Sequence, residues 1–167
     1  MTYLSTASGP IMSPFDGFLV RMSVKTLPLR TQRACLNAQP VAEFLEKHPG
    51  IGRVYYPERQ SHPQHRLAGR QMAGFGAIIS MVVRGGLESA RQLLKRTQIF
   101  PLAKNLGGVE NLIEHPAITP HASVPRSVRH KIGIVDALVR LSVGVDCLLY
   151  TSPSPRDVEE SRMPSSA

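Results

Sequence analysis

The run Ala77–Arg84, reading Ala-Ile-Ile-Ser-Met-Val-Val-Arg, is apolar, rich in branched side chains and cut off by Gly85-Gly86. A run this short and this branched fits a buried strand, because branched side chains pack well on a pleated surface and helices need more residues. Directly after it, Leu87, Ala90 and Leu94 share one face of an amphipathic helix predicted over Leu87–Thr97. A strand that feeds straight into such a helix confines the chain to folds that lay helices on a sheet. Ile99–Leu102 and Leu138–Val143 supply further strands, and Arg53–Tyr56 a short one before Pro57. The order helix, strand, helix, strand implies an α+β fold with a mixed sheet.

The first helix is expected at Ser13-Pro14-Phe15-Asp16. Serine can cap, proline is tolerated in the first turn, and an acidic residue there suits the helix dipole. Phe15, Phe18, Leu19, Met22 and Thr26/Leu27 then recur at helical spacing. Pro28 is expected to kink or interrupt this helix, and Pro40 to do so again, since proline lacks the N–H and crowds the preceding turn. Val41–Lys47 is a further helical segment, stopped at His48-Pro49-Gly50. Ser61–Gln71 reads as a loop and a short helix.

Composition narrows the function classes. Apolar residues make up 42% of the 167 residues, which allows one real core and argues against wholesale disorder. The apolar runs are far too short to span a bilayer, so no membrane partner is expected. No basic stretch followed by an apolar one opens the chain, so no secretory signal is read. Two cysteines, Cys35 and Cys147, cannot form a disulfide framework and suggest a reducing, cytoplasmic setting. The net charge of +8 invites a nucleic-acid reading. However, the basic residues, such as Arg30, Arg53, Arg91 and Arg126, form no block, and aromatics are only 5% with no Trp. Single-strand binding needs aromatic stacking platforms. No nucleic-acid partner is therefore expected, and a non-catalytic basic binding module stands as the alternative reading.

From Cys147 onward the text changes character. Residues 151–167 are rich in Ser and Pro, the composition of a flexible tail. Cys147–Asp157 and Ser161–Ala167 also resemble, in one frame, two blocks of a translated transposase adapter from short-read sequencing libraries. Residues 147–167 are accordingly expected to be adapter-derived and disordered, and only Cys35 then remains as a natural cysteine.

Three clusters are candidates for chemistry. With period two, Leu138, Arg140 and Ser142 share one strand face, opposite Val139, Leu141 and Val143. A guanidinium on a half-apolar face offers a bidentate fork to a carboxylate. Spacing alone favours an arginine snorkelling from an exposed face. Lys104-Asn105-Leu106-Gly107-Gly108 follows a predicted strand, and small residues there admit a ligand close to the backbone. It lacks a dinucleotide or P-loop spacing. His62 and His65 have the spacing of metal ligands, but no Cys or carboxylate cluster accompanies them, so no metal site is expected.

A set of strings runs in order along the chain: Ser13-Pro14-Phe15-Asp16, Lys25-Thr26-Leu27, Val54-Tyr55-Tyr56-Pro57, Ser61-His62-Pro63-Gln64-His65 and Gly74-Phe75-Gly76. Further on come Leu106-Gly107-Gly108-Val109-Glu110, His115-Pro116-Ala117, His121-Ala122-Ser123 and Leu138-Val139-Arg140-Leu141-Ser142-Val143-Gly144. Taken in that order, the set is similar to the C-terminal part of the cystathionine γ-lyase and γ-synthase family of pyridoxal-phosphate (PLP) enzymes. The resemblance implies that residues 1–146 are the small domain of a fold-type I, aspartate aminotransferase-like transferase. The large cofactor domain, with its Schiff-base lysine and phosphate cup, would be absent here. The family's closing helix should start near Asp146.

The resemblance also implies roles. Arg140 matches the family arginine that holds the substrate α-carboxylate. Asn105 stands where the family usually has Ser, near the substrate. Lys104 replaces the Glu of typical γ-lyases, a charge reversal at a substrate-discriminating position. Pro120, Met22-Ser23 and Pro40 are further departures. The implied parent is a cytoplasmic homotetramer that uses PLP as an electron sink. It would eliminate or replace a γ-substituent on cystathionine or an O-acylhomoserine-type amino acid. Ser61–His65 leans toward a γ-lyase and Lys104 leans away, with methionine γ-lyase and sulfhydrylase relatives open. A truncated regulatory paralogue is the remaining alternative.

Overall fold

Ser13 caps the first helix as its residue type favours. Its Oγ accepts the Asp16 N–H at 3.1 Å, with Pro14 and Asp16 in the first turn of α1 (Pro14–Lys25). The structure, a computed structural model, describes Gly9 and residues 12–146. The adapter-like text of residues 147–167 lies outside the described residues. Helix α2 (Leu27–Lys47) begins after a single break at Thr26, with Pro28 in its first turn. The interruption expected from Pro28 is thus found, two residues ahead of it.

The second expected interruption does not occur. Helix α2 runs unbroken through Pro40. Proline removes one i→i−4 bond there, while Ala38 and Ala42 (both fully buried) and Leu45 hold the helix against the sheet on either side of it. Tertiary packing outweighs one lost backbone bond.

The chain continues through β1 (Ile51–Tyr55), α3 (His65–Gln71) and β2 (Ile78–Val83). Gly85, with φ +86°, turns the chain at the end of β2 into α4 (Gly86–Arg96). Then follow β3 (Leu112–Glu114), α5 (Arg126–Lys131) and β4 (Leu138–Ser142). The four strands lie in the order β1-β2-β4-β3, and every neighbouring pair is antiparallel.

This corrects two expectations. The sheet is not mixed: its one parallel element among the described residues is an isolated bridge between Leu102 and Ile113. Ile99–Leu102 makes no strand, because Pro101 has no N–H to give a ladder; instead its carbonyl accepts the Ile113 N–H at 3.0 Å. The helix-and-sheet α+β class stands.

One sheet face carries the core. Ile79, Met81, Val139, Leu141 and Val143 pack with Ile113 beneath α2, and Ala90 of α4 joins them. Alanines at the helix contacts let the backbones approach the sheet closely. The opposite face carries Ser80, Arg140, Ser142 and Glu114. In α1, by contrast, no residue is buried: Phe15 is 68% exposed and Phe18 57%.

Candidate active site

Arg140 sits in the middle of β4, directly opposite Ser80 on β2 and Glu114 on β3. Tyr55 of β1 pairs with Ser80, so Tyr55, Ser80, Arg140 and Glu114 form one polar row across the sheet. Hydrophobic neighbours border the row on the same face, among them Leu138 and Leu112, both buried. Arg140 Nη2 lies 2.9 Å from Glu114 Oε1, with the arginine side chain 26% exposed and the glutamate 3%. The rest of the guanidinium has no hydrogen-bond partner among the described residues, and none of its nitrogens is sealed from solvent. A half-exposed guanidinium in an apolar setting with open donors can grip a planar anion on two N–H groups.

The glycine loop is stitched to the end of β4. Gly107, at φ +77°, donates its N–H to Ser142 Oγ at 3.3 Å. Val145 donates to the Val109 carbonyl at 2.8 Å, and Gly144 to Asn111 Oδ1 at 2.9 Å. Gly144 has to be glycine, because a Cβ there would stand 2.5 Å from the Glu110 carbonyl carbon. Asn37 of α2 donates to the carbonyls of Gly144 and Asp146, at 3.0 and 3.1 Å. The loop is therefore pinned beside Ser142, two residues along the same face from Arg140.

Lys104 and Asn105 lie on this loop, and both are exposed. Asn105 Oδ1 accepts the Leu106 N–H at 2.8 Å, which shapes the turn itself. No hydrogen bond joins either residue to Arg140. Between the loop, β2, β4 and α2 lies a cavity of about 180 Å³, lined by Arg30, Thr31, Ile78, Gly107 and Ser142 among others. Arg30 and Glu114 were missed by sequence reasoning. A charged residue inside the buried string Leu112–Ala117 was the available signal for Glu114.

The far end of β3 is clamped to the start of β4. His115 is fully buried, and its Nε2 lies 2.8 Å from the Asp136 carbonyl. Burial pushes its imidazole below the ordinary value, and the hydrogen bond to that carbonyl only partly offsets this. The Asp136 carboxylate faces Arg126 at 2.6 Å, Arg129 at 3.1 Å and His130 at 3.6 Å. Burial alone would raise its pKa. The hydrogen bond from Arg129 and the charge of Arg126 outweigh that and hold it below the usual range. Elsewhere, Tyr56 is fully buried, and burial with the nearby Glu58 charge drives its phenol far above the usual range. Its hydroxyl donates to the Gly76 carbonyl at 3.0 Å. His65 Nδ1 lies 2.9 Å from the Pro57 carbonyl, and no group of three or more metal-ligating side chains occurs among the described residues.

The family described as Cys/Met metabolism PLP-dependent enzyme matches residues 1–148. The cystathionine β-lyase of Coxiella burnetii is 50% identical over 148 residues, covering 89% of this chain and 38% of that protein. The cystathionine γ-lyase of Dictyostelium discoideum is 45% identical, covering 87% and 38%. Among solved structures, cystathionine γ-synthase from Xanthomonas oryzae pv. oryzae, in complex with aminoacrylate and cysteine, superimposes with a TM-score of 0.82 at 41% identity. That match covers 87% of this chain and 38% of the other. The chain thus spans 38% of the length of the curated relatives it matches. A family match over residues 1–148, which takes in all the described residues, places this chain among the Cys/Met metabolism PLP-dependent enzymes.

Proposed function

We propose that residues 1–146 are the C-terminal small domain of a transsulfuration enzyme with the aspartate aminotransferase-like fold, and that Arg140 anchors the substrate's α-carboxylate. The observation that carries this reading is the open guanidinium of Arg140 on the sheet face beside the glycine loop. Lys104 and Asn105 are assigned to the rim of the same site, facing the distal part of the substrate. Residues 147–167 are assigned to adapter-derived text. A cytoplasmic homotetramer acting on an amino-acid substrate goes with this reading. Among the described residues no helix is long and apolar enough to cross a membrane.

Pyridoxal phosphate is the cofactor of the family. The described residues do not build a seat for it. All five lysines, Lys25, Lys47, Lys95, Lys104 and Lys131, are exposed, and none is enclosed beside an anion cradle. We therefore assign the lysine and the phosphate partners to the part of the relatives that this chain does not span. What the chain contributes is carboxylate binding and orientation at Arg140, on a rigid sheet.

The reaction class is the breaking or exchange of a C–S or C–O bond at the γ-carbon of cystathionine or an O-acylhomoserine. The Coxiella relative, a β-lyase, adds β-elimination to the γ-chemistry expected from sequence. Fusing residues 1–146 to the preceding portion of that relative tests the reading. Cystathionine should be cleaved, with 2-oxobutyrate marking γ-elimination and pyruvate marking β-elimination. A folded, cofactor-loaded chimera that neither cleaves cystathionine nor makes it from an O-acylhomoserine would refute it.

A further inference from the structure

Glu114 is a buried carboxylate. Among the described residues neither of its oxygens has an aligned hydrogen bond, and only Arg140 Nη2, at 2.9 Å, offsets its charge. Burying an ion so sparsely bonded is costly, and an apolar residue of similar volume would stabilise the strand better. Packing therefore does not account for this side chain.

Its placement does. Strand register sets Glu114 directly across from Arg140, and the other flank is Ser80, which is uncharged. The pull on the guanidinium is one-sided. The next residue, His115, is locked to the Asp136 carbonyl, so the backbone that carries Glu114 is fixed at both ends of the short strand. We propose that Glu114 is a positioning residue for Arg140: it holds one end of the guanidinium in the sheet and turns the remaining N–H groups to solvent as a preformed fork for a small carboxylate.

This rests on the reading of Arg140 as a carboxylate receptor, so the experiment reports on the two separately. In the ¹⁵N-labelled full chain, the ¹⁵N relaxation order parameter at Arg140 Nε measures how firmly the side chain is held. Titration with sodium acetate, against methylammonium chloride at equal ionic strength, measures carboxylate binding. Glu114→Gln keeps the shape and removes the charge. It should lower the Arg140 Nε order parameter and weaken acetate binding by about tenfold or more. Glu114→Asp, which keeps the charge but draws it back by one methylene, should fall between, and it serves alone should Glu114→Gln not fold. Glu43→Gln, which breaks an exposed helix pair with Lys47, should change neither. An order parameter and acetate binding unchanged in both Glu114 variants would overturn the proposal. A high Arg140 order parameter that depends on Glu114, with no acetate response in the unmodified chain, would instead overturn the receptor reading and leave the positioning role standing.

Discussion

A buried histidine gives this chain a pH dependence whose sign is fixed by its surroundings. The folded state holds His115 neutral, since burial lowers its pKa. The unfolded chain takes up a proton below about pH 6.5. The stability that follows is fully present above that value and is lost as pH falls through the window beneath it, at no more than about 1.4 kcal/mol per pH unit for one proton. Asp136, also depressed, adds a loss of the same sign at lower pH, below the ordinary carboxylate value. Urea midpoints should stay level from pH 7.5 to about 6.5 and then fall towards pH 5, and His115→Asn should flatten that fall; a midpoint that is flat over the whole range in the unmodified chain would show that His115 is not buried neutral. The same residues show what a sequence can reveal at this scale. Arg140 stood out as a lone charge in a strand of Leu, Val and Ser. Glu114 did not, because its meaning comes from a cross-strand neighbour 26 positions away, and its own string has no readable period.

At the scale of elements, the two central strands and the short strand at Arg53–Tyr56 were legible, and the three-residue β3 was not. Ala77–Arg84 and Leu138–Val143 both became strands, β2 and β4, which lie at the centre of the sheet with Ile79, Val83, Val139 and Val143 on its core face. Strand β3 has three residues, too few to show alternation. Proline was misjudged at Pro40 because a helix held by buried alanines tolerates one missing bond, and Ile99–Leu102 failed as a strand because Pro101 breaks the ladder. The glycine loop was legible as a turn, but its fastening to β4 was not. That fastening yields a prediction. Gly144→Ala sets a methyl group against the Val109–Glu110 backbone, where no flexible side chain can yield. Overpacking of this kind costs about 1–3 kcal/mol. The chemical shifts of residues 104–110 should move along with the thermal midpoint. A variant as stable as the parent sequence would mean that the loop is not pressed against β4.

For the whole molecule, the described residues make a sheet-and-helix unit that leaves several large apolar side chains exposed. Phe15, Phe18 and Leu19 on α1 are exposed, as are Leu36 and Phe44 on α2. The chain alone should also be catalytically silent: after incubation with pyridoxal phosphate and dialysis, it should release no 2-oxo acid from cystathionine. Cofactor retained in stoichiometric amount, and mapped by borohydride reduction to Lys104, would show instead that this unit binds it unaided.

The account turns on Arg140 as the carboxylate anchor, and one comparison tests that most directly. In the chimera with the Coxiella portion, kcat/KM for cystathionine is measured with Arg140 and with Arg140→Ala, at equal cofactor content. Loss of a partly desolvated charge partner should cost about 2–4 kcal/mol, or about 30- to 900-fold in kcat/KM. Equal kcat/KM in the two proteins would contradict the account and return Arg140 to an arginine that only snorkels from a sheet face.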